Sequence, residues 1–126
     1  MAEILIIDDD PSVGLTFARM LESAGYSVSR VESAETGLIF LNDHRPDAVI
    51  LDMRMPEMDG LDFLHRLREV PHLRDLPVGI VTGDYFLKEP VMAELAELGI
   101  QIRYKPVWMD DLVAFTQSLL GGREDA

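Results

Sequence analysis

Five short apolar runs alternate along this chain with five amphipathic stretches. Three of the runs are continuous: Ile4-Leu5-Ile6-Ile7, Ala48-Val49-Ile50-Leu51 and Val78-Gly79-Ile80-Val81. Strands of a parallel sheet covered on both faces read this way, because neither face meets water. The other two, residues 26–31 and 100–104, are more polar, as strands at the edges of a sheet would be. Between the runs the apolar period changes. Val13, Phe17, Met20, Leu21 and Ala24 recur at i, i+4, i+7, i+8 and i+11, one face of a helix. Ala34, Leu38 and Leu41 mark a second helix, Leu61, Leu64 and Leu67 a third, Met92, Leu95, Ala96 and Gly99 a fourth, and Leu112, Phe115, Thr116 and Leu119 a fifth. These stripes predict core faces.

The punctuation agrees with that division. Asp10-Pro11 supplies an N-cap followed by proline at the first helical position, and Ser33 and Asp59 are placed to cap the second and third helices. Gly25, Gly99 and Gly121 fall where helices should stop. Asp110 and Asp111 occupy the first turn of the last helix, where the macrodipole favours acids. The order βαβαβαβαβα, with right-handed crossovers, predicts a doubly wound α/β fold: a five-stranded parallel sheet with five helices on both faces. No repeat, linker or second domain is visible. In such sheets the chemistry lies beyond the carboxyl ends of the strands, where the strand order reverses.

Composition narrows the function. The chain of 126 residues carries 23 acidic against 11 basic residues, a net charge of −12. Nucleic-acid affinity rests on cations that neutralise phosphates, so direct DNA or RNA binding is not expected. Cysteine is absent, which removes disulfides and thiolate zinc sites and fits a reducing compartment. The N-terminal apolar run is too short for a signal peptide, and no stretch approaches the length of a membrane span. A cytoplasmic protein is the expectation.

The residues that follow the predicted strands carry the chemistry. Asp8, Asp9 and Asp10 follow the first, Asp52 the third, Thr82, Gly83 and Asp84 the fourth, and Lys105-Pro106 the fifth. Each has an ordinary reading by itself, as helix cap, turn acid or turn. Together they would converge in one shallow cleft. Crowded carboxylates repel, and at neutral pH one must protonate or find a cation. Mg²⁺ prefers one or two carboxylates, keeps waters and takes phosphate oxygens readily. A lysine and a threonine facing the acids complete a site for a phosphoryl group, whose transfer needs chiefly positioning and charge neutralisation. Asp52, alone at a central strand end, is the candidate nucleophile.

At these positions the sequence resembles the receiver domain of two-component response regulators, over about residues 3–120. The most specific piece is Leu51-Asp52-Met53-Arg54-Met55-Pro56-Glu57-Met58-Asp59-Gly60, which is similar to the family's phosphoacceptor loop. Ile6-Ile7-Asp8-Asp9-Asp10-Pro11 resembles its acidic pair, Val81-Thr82-Gly83 its threonine, and Lys105-Pro106 its lysine and proline. The resemblance implies a flavodoxin-like fold with strand order 2-1-3-4-5, residues 1–121 as one receiver domain and 122–126 as a short tail. It implies that Asp52 accepts the phosphoryl group and that Asp9, Asp52 and the backbone carbonyl of Arg54 ligate Mg²⁺, with Asp8 acting mostly through water. Lys105 would pair with a phosphate oxygen, Thr82 would turn its hydroxyl toward the phosphoryl group, and the Gly83 amide would donate to it. A cis peptide is implied before Pro106, and an Arg54–Asp84 pair would tune the lifetime of the acyl phosphate.

The implied partners are a histidine kinase or histidine phosphotransfer protein upstream and a protein effector downstream. The resemblance also leaves room for a homodimer through the fourth helix, fifth strand and fifth helix. Such a domain is a phosphoacceptor rather than an enzyme. One departure stands out: the family places an aromatic residue three positions before the lysine, where this chain has Ile102, while Tyr104 sits one before it. Either Ile102 moves with Thr82 in switching without a ring, or the signal leaves by another surface. The segment 84–90 also looks longer than the family's. His44, His65 and His72 lack metal-ligand spacing and read as surface or loop residues. Met53, Met55 and Met58 read as packing residues, and Trp108 as a fluorescent reporter of Mg²⁺. Alternatives on the same topology are a relay intermediate, a non-phosphorylated interaction module, an aspartyl-phosphate phosphatase using Asp8 and Asp10, and a flavodoxin-like cofactor binder. The last would need a Ser/Thr/Gly-rich phosphate loop where Asp8-Asp9-Asp10 stands.

Overall fold

The computed structural model describes residues 2–52, 60–83 and 88–121. Its elements alternate as the apolar pattern predicts: β1 (Glu3–Ile7), α1 (Pro11–Ser23), β2 (Ser27–Val31), α2 (Ala34–Asp43), β3 (Ala48–Leu51), α3 (Gly60–Glu69), a 3₁₀ turn (Pro71–Leu73), β4 (Val78–Thr82), α4 (Glu89–Glu97), β5 (Gln101–Tyr104) and α5 (Met109–Leu120). The five strands form one parallel sheet in the order β2-β1-β3-β4-β5. The order reverses between β1 and β3, so their carboxyl ends lie side by side.

Alternation along the strands builds a core on each face. Leu5, Ile7, Val49, Leu51, Val78 and Ile80 pack with Leu41 of α2, Phe63, Leu64 and Leu67 of α3, and Leu95 of α4. Ile4, Ile6, Ala48, Ile50 and Val81 pack with Phe17 and Leu21 of α1 and with Leu112, Phe115 and Leu119 of α5. The three continuous runs are buried on both faces, whereas β2 and β5, the edges, are partly exposed.

The caps hold where they can be checked. Asp10 Oδ1 accepts from the N–H groups of Ser12 and Val13 at 2.9 and 3.3 Å, with Pro11 opening α1. Ser33 Oγ accepts from the Thr36 N–H at 3.0 Å. Asp111 Oδ2 accepts from the Trp108 N–H at 3.2 Å at the start of α5. Asp59 lies outside the described residues. Gly25 and Gly99 take φ of 100° and 77°, left-handed values that let the chain leave α1 and α4.

Two stripes differ from expectation. In α1, Ala24 is exposed at the C-cap, and Gly14 and Ala18 are buried with Phe17 and Leu21 instead. In α4, Leu95 is buried as expected, but Met92 is 40% exposed and Ala96 faces out, while Val91 and Leu98 are half-buried. Val91, Leu95 and Leu98 obey i, i+4, i+7 as well as the expected set does. The docking angle of the helix chose between two faces that periodicity leaves equivalent. No helix among the described residues is long and apolar enough to cross a membrane.

Candidate functional site

The ladder hydrogen bonds continue one residue past β1 and β3 and fix the two central acids. The Asp8 N–H donates to Val31 O at 3.2 Å, and the Asp52 N–H donates to Ile7 O at 3.0 Å. Lys105, the residue after β5, is fixed in the same way, its N–H donating to Thr82 O at 2.8 Å. Three strand ends thus aim side chains into one cleft.

Within it, carboxylate oxygens of Asp8, Asp9 and Asp52 lie within 4.8 Å of one another. Lys105 Nζ stands 3.6 Å from Asp52 Oδ2 and 3.7 Å from Asp8 Oδ2. Asp9 is exposed, Asp52 half-buried and Asp8 only 5% exposed. Burial pushes the Asp8 carboxyl above the ordinary carboxylate range. The Asp10 N–H, which donates to Asp8 Oδ1 at 2.9 Å, and the Lys105 cation oppose that rise, while Asp52 and Asp9 add to it. One ammonium facing three carboxylates leaves acidic oxygen donors in excess. Hard oxygen donors with an open side suit a Mg²⁺-sized cation.

Thr82 is fully buried at the end of β4, and Gly83 follows at the exposed rim. A Cβ at Gly83 would meet nothing within 4 Å among the described residues.

Comparison with known proteins identifies the family and the fold. A family model described as the response regulator receiver domain matches residues 4–117. This chain belongs to the response regulator receiver domain family. It is similar to the response regulator MprA of Mycobacterium sp. (strain KMS), 35% identical over 117 residues, which cover 93% of this chain and 50% of that protein. The chain thus spans about half the length of the MprA proteins it matches. Among solved structures, the signal receiver domain of a signal transduction histidine kinase from Syntrophus aciditrophicus is 31% identical, with a TM-score of 0.85 and coverage of 100% and 95% of the two chains. The chemotaxis response regulator CheY4 of Vibrio cholerae is 26% identical, with a TM-score of 0.86 and coverage of 95% and 99%.

For a receiver domain, most of the expected site residues converge. Asp8, Asp9, Asp52 and Lys105 share the cleft, the Thr82 carbonyl accepts from the Lys105 N–H with Gly83 next in the chain, and the Lys105–Pro106 peptide is cis. Arg54 and Asp84 lie outside the described residues, as do Met53, Met55 and Met58. Ile102 is different: it is half-buried, pairs with Ile80 and packs against the core, two register pairs back from Thr82. The histidines are elsewhere. His44 stacks on Phe40, His72 reaches Leu41 O, and His65 of α3 pairs with Glu94 of α4.

Sequence reading missed a groove of about 430 Å³ beside Lys105, lined by Val13, Phe17 and Met20 of α1 and by Pro106, Val107 and Trp108. Val13, Phe17 and Met20 belong to the core face of α1 and line this groove as well. The signal available in the sequence was Val107-Trp108, an apolar pair directly after the site lysine. Trp108 is 69% exposed there.

Proposed function

We propose that this receiver domain accepts a phosphoryl group on Asp52 from the phosphohistidine of a partner kinase or phosphotransfer protein, with Mg²⁺ held by Asp8, Asp9 and Asp52. The observation that carries the reading is the convergence of those three carboxylates on one another and on Lys105. When bound, Mg²⁺ supplies charge neutralisation for the phosphoryl oxygens.

The rest falls to the chain's own residues. An Asp52 carboxylate oxygen forms the new P–O bond as the P–N bond to histidine breaks. The histidine nitrogen keeps the electron pair and takes a proton from water. Lys105, already directed at Asp52, offsets charge on a transferred oxygen. The Thr82 hydroxyl and the Gly83 N–H donate to the phosphoryl group once it is in place. The apolar groove beside Lys105 would serve as the donor protein's docking surface. The signalling unit is residues 1–121. It takes one phosphoryl group per chain, and a shift between two conformations passes the signal to a protein effector.

Incubation with a small acyl phosphate donor tests this. In Mg²⁺ the intact mass should rise by one phosphoryl group; in EDTA it should not, and Trp108 fluorescence should change on Mg²⁺ addition. A chain that takes no phosphoryl group, or takes it equally well in EDTA, would refute the proposal.

A further inference from the structure

Helix α4 is held to the molecule by little. Leu95 is its one buried residue, and Val91 and Leu98 reach the core only in part. Its N-cap, Lys88, makes no side-chain capping bond, and no basic residue closes its last turn. At nine residues it is too short to stand by its own hydrogen bonds. An element held this way opens locally at small free-energy cost, so even a weak contact shifts its opening equilibrium measurably.

A polar contact ties it to α3. His65 Nε2 of α3 bonds Glu94 Oε2 of α4, and both side chains are half-exposed. Helix spacing sets the charges around the pair. Asp62 lies one turn before His65, Arg68 and Glu69 one turn after it, and Glu97 one turn after Glu94. Lys88 and Glu89 lie at the N-terminal end of α4. Arg68 is engaged elsewhere, its Nη1 donating to Leu73 O and Leu76 O at 3.1 and 2.7 Å. β4 has no charged residue, and Arg103 of β5 lies over Phe115 of α5 on the far face, while Tyr104 carries no charge near neutrality. α2, which also packs on α3, has Glu35 and Asp43 at its two ends, and His72 of the 3₁₀ turn reaches Leu41 O. The charge near the pair is thus mostly acidic.

Imidazole is the side chain whose ordinary charge change falls between about pH 5 and 8. In the neutral form that bonds a carboxylate, Nε2–H donates as a polar group. Once protonated, the ring donates as a cation, and charge-assisted hydrogen bonds are roughly twice as strong.

We infer that His65 and Glu94 form a proton-operated clasp on α4: a proton on His65 tightens the tie to α3, and its loss lets α4 open more often. The clasp does not depend on the phosphoacceptor reading. The chain enters α4 after Thr82, whose carbonyl fixes Lys105. Acidity thereby sets how firmly the helix that follows this strand end is held, whether or not Asp52 is occupied. Screened by water, the pair should change the opening equilibrium by no more than about fivefold, the scale of an exposed ion pair.

Amide hydrogen exchange of the full chain in EDTA, read by mass spectrometry and corrected for the intrinsic rate at each pH, tests this with α5 as the internal reference. From pH 8 to pH 6 the protection of α4 in wild type should rise about two- to fivefold relative to α5. His65→Gln and Glu94→Gln each keep a hydrogen-bonding side chain and remove one charge of the pair, and in both the ratio of α4 to α5 should stay flat. Both positions are exposed, and protection of α5 in each variant reports that it has folded. Asp8 and the other titrating groups are unchanged in these variants, so they cannot account for a lost rise. A flat ratio in wild type would overturn the clasp, as would a rise of wild-type size in either variant.

Discussion

Lys105 Nζ stands 3.6 Å from Asp52 Oδ2, so the cleft holds a cation of its own beside the candidate acceptor before any metal or phosphate arrives. That ammonium has two opposed effects. It relieves the crowding of Asp8 and Asp52, and it competes with a divalent ion for the same oxygens. Lys105→Ala is therefore expected to bind Mg²⁺ at least as tightly as wild type while accepting a phosphoryl group about a hundredfold more slowly, the lower end of the scale for losing one charge-stabilising donor. Mg²⁺ titration and time-resolved intact mass read the two effects separately. Equal labelling rates would contradict the role given to Lys105.

Asp8 is the crowded partner. Its carboxyl is held above the ordinary value of 3.8, first by burial, so the folded protein binds that proton more tightly than the unfolded chain does. The associated stability is fully present below the ordinary value and is lost as pH rises through the raised folded value. In EDTA, Asp8→Asn should melt above wild type at neutral pH, by roughly 2–5 °C. The gap should close as the pH falls toward the ordinary carboxylate range. Mg²⁺ should raise the wild-type melting temperature more than that of the variant. Thermal melts across pH, with and without Mg²⁺, check all three statements.

Gly79 marks where α5 presses on the sheet. A Cβ there would come within 2.7 Å of Phe115 Cε2 and 2.8 Å of Leu119 Cδ1. Both neighbours are core side chains, so Gly79→Ala overpacks the face and should cost about 1–3 kcal/mol. Urea denaturation measures this. Labelling of Asp52 at low temperature should be largely retained, because the cleft lies beyond the strand ends.

Helix α4 should be the least protected helix. It buries only Leu95, and its His65–Glu94 tie to α3 joins two half-exposed side chains. Such a pair contributes less than about 1 kcal/mol. Hydrogen exchange is expected to be faster in α4 than in α5, and His65→Ala should speed it further with little change in global stability. Protection of α4 equal to that of α5 would contradict this.

The sequence carried the architecture because each strand and helix announces itself locally. Continuous apolar runs mark β1, β3 and β4, a change of period marks each helix, and Asp10-Pro11 and Ser33 mark helix starts. The acid cluster was legible for a topological reason: residues after parallel strands must meet at one edge of the sheet. What escaped depends on how distant elements dock. The stripe of α4 could have been Met92 or Val91 until the helix settled on Leu95. The Thr82–Tyr104 pairing is a register between two strands, and no local pattern encodes it. The groove at Trp108 arises where α1 meets the residues after Lys105, two segments far apart in the chain.

The central claim is that Asp52 takes the phosphoryl group. Borohydride reduces an aspartyl phosphate, so trapping the labelled protein and mapping its peptides locates the acceptor directly. Asp52 should be converted to homoserine in the Mg²⁺ sample, with no conversion in EDTA or in Asp52→Asn. Conversion at Asp8 or Asp9 instead, or a label that survives in Asp52→Asn, would contradict it.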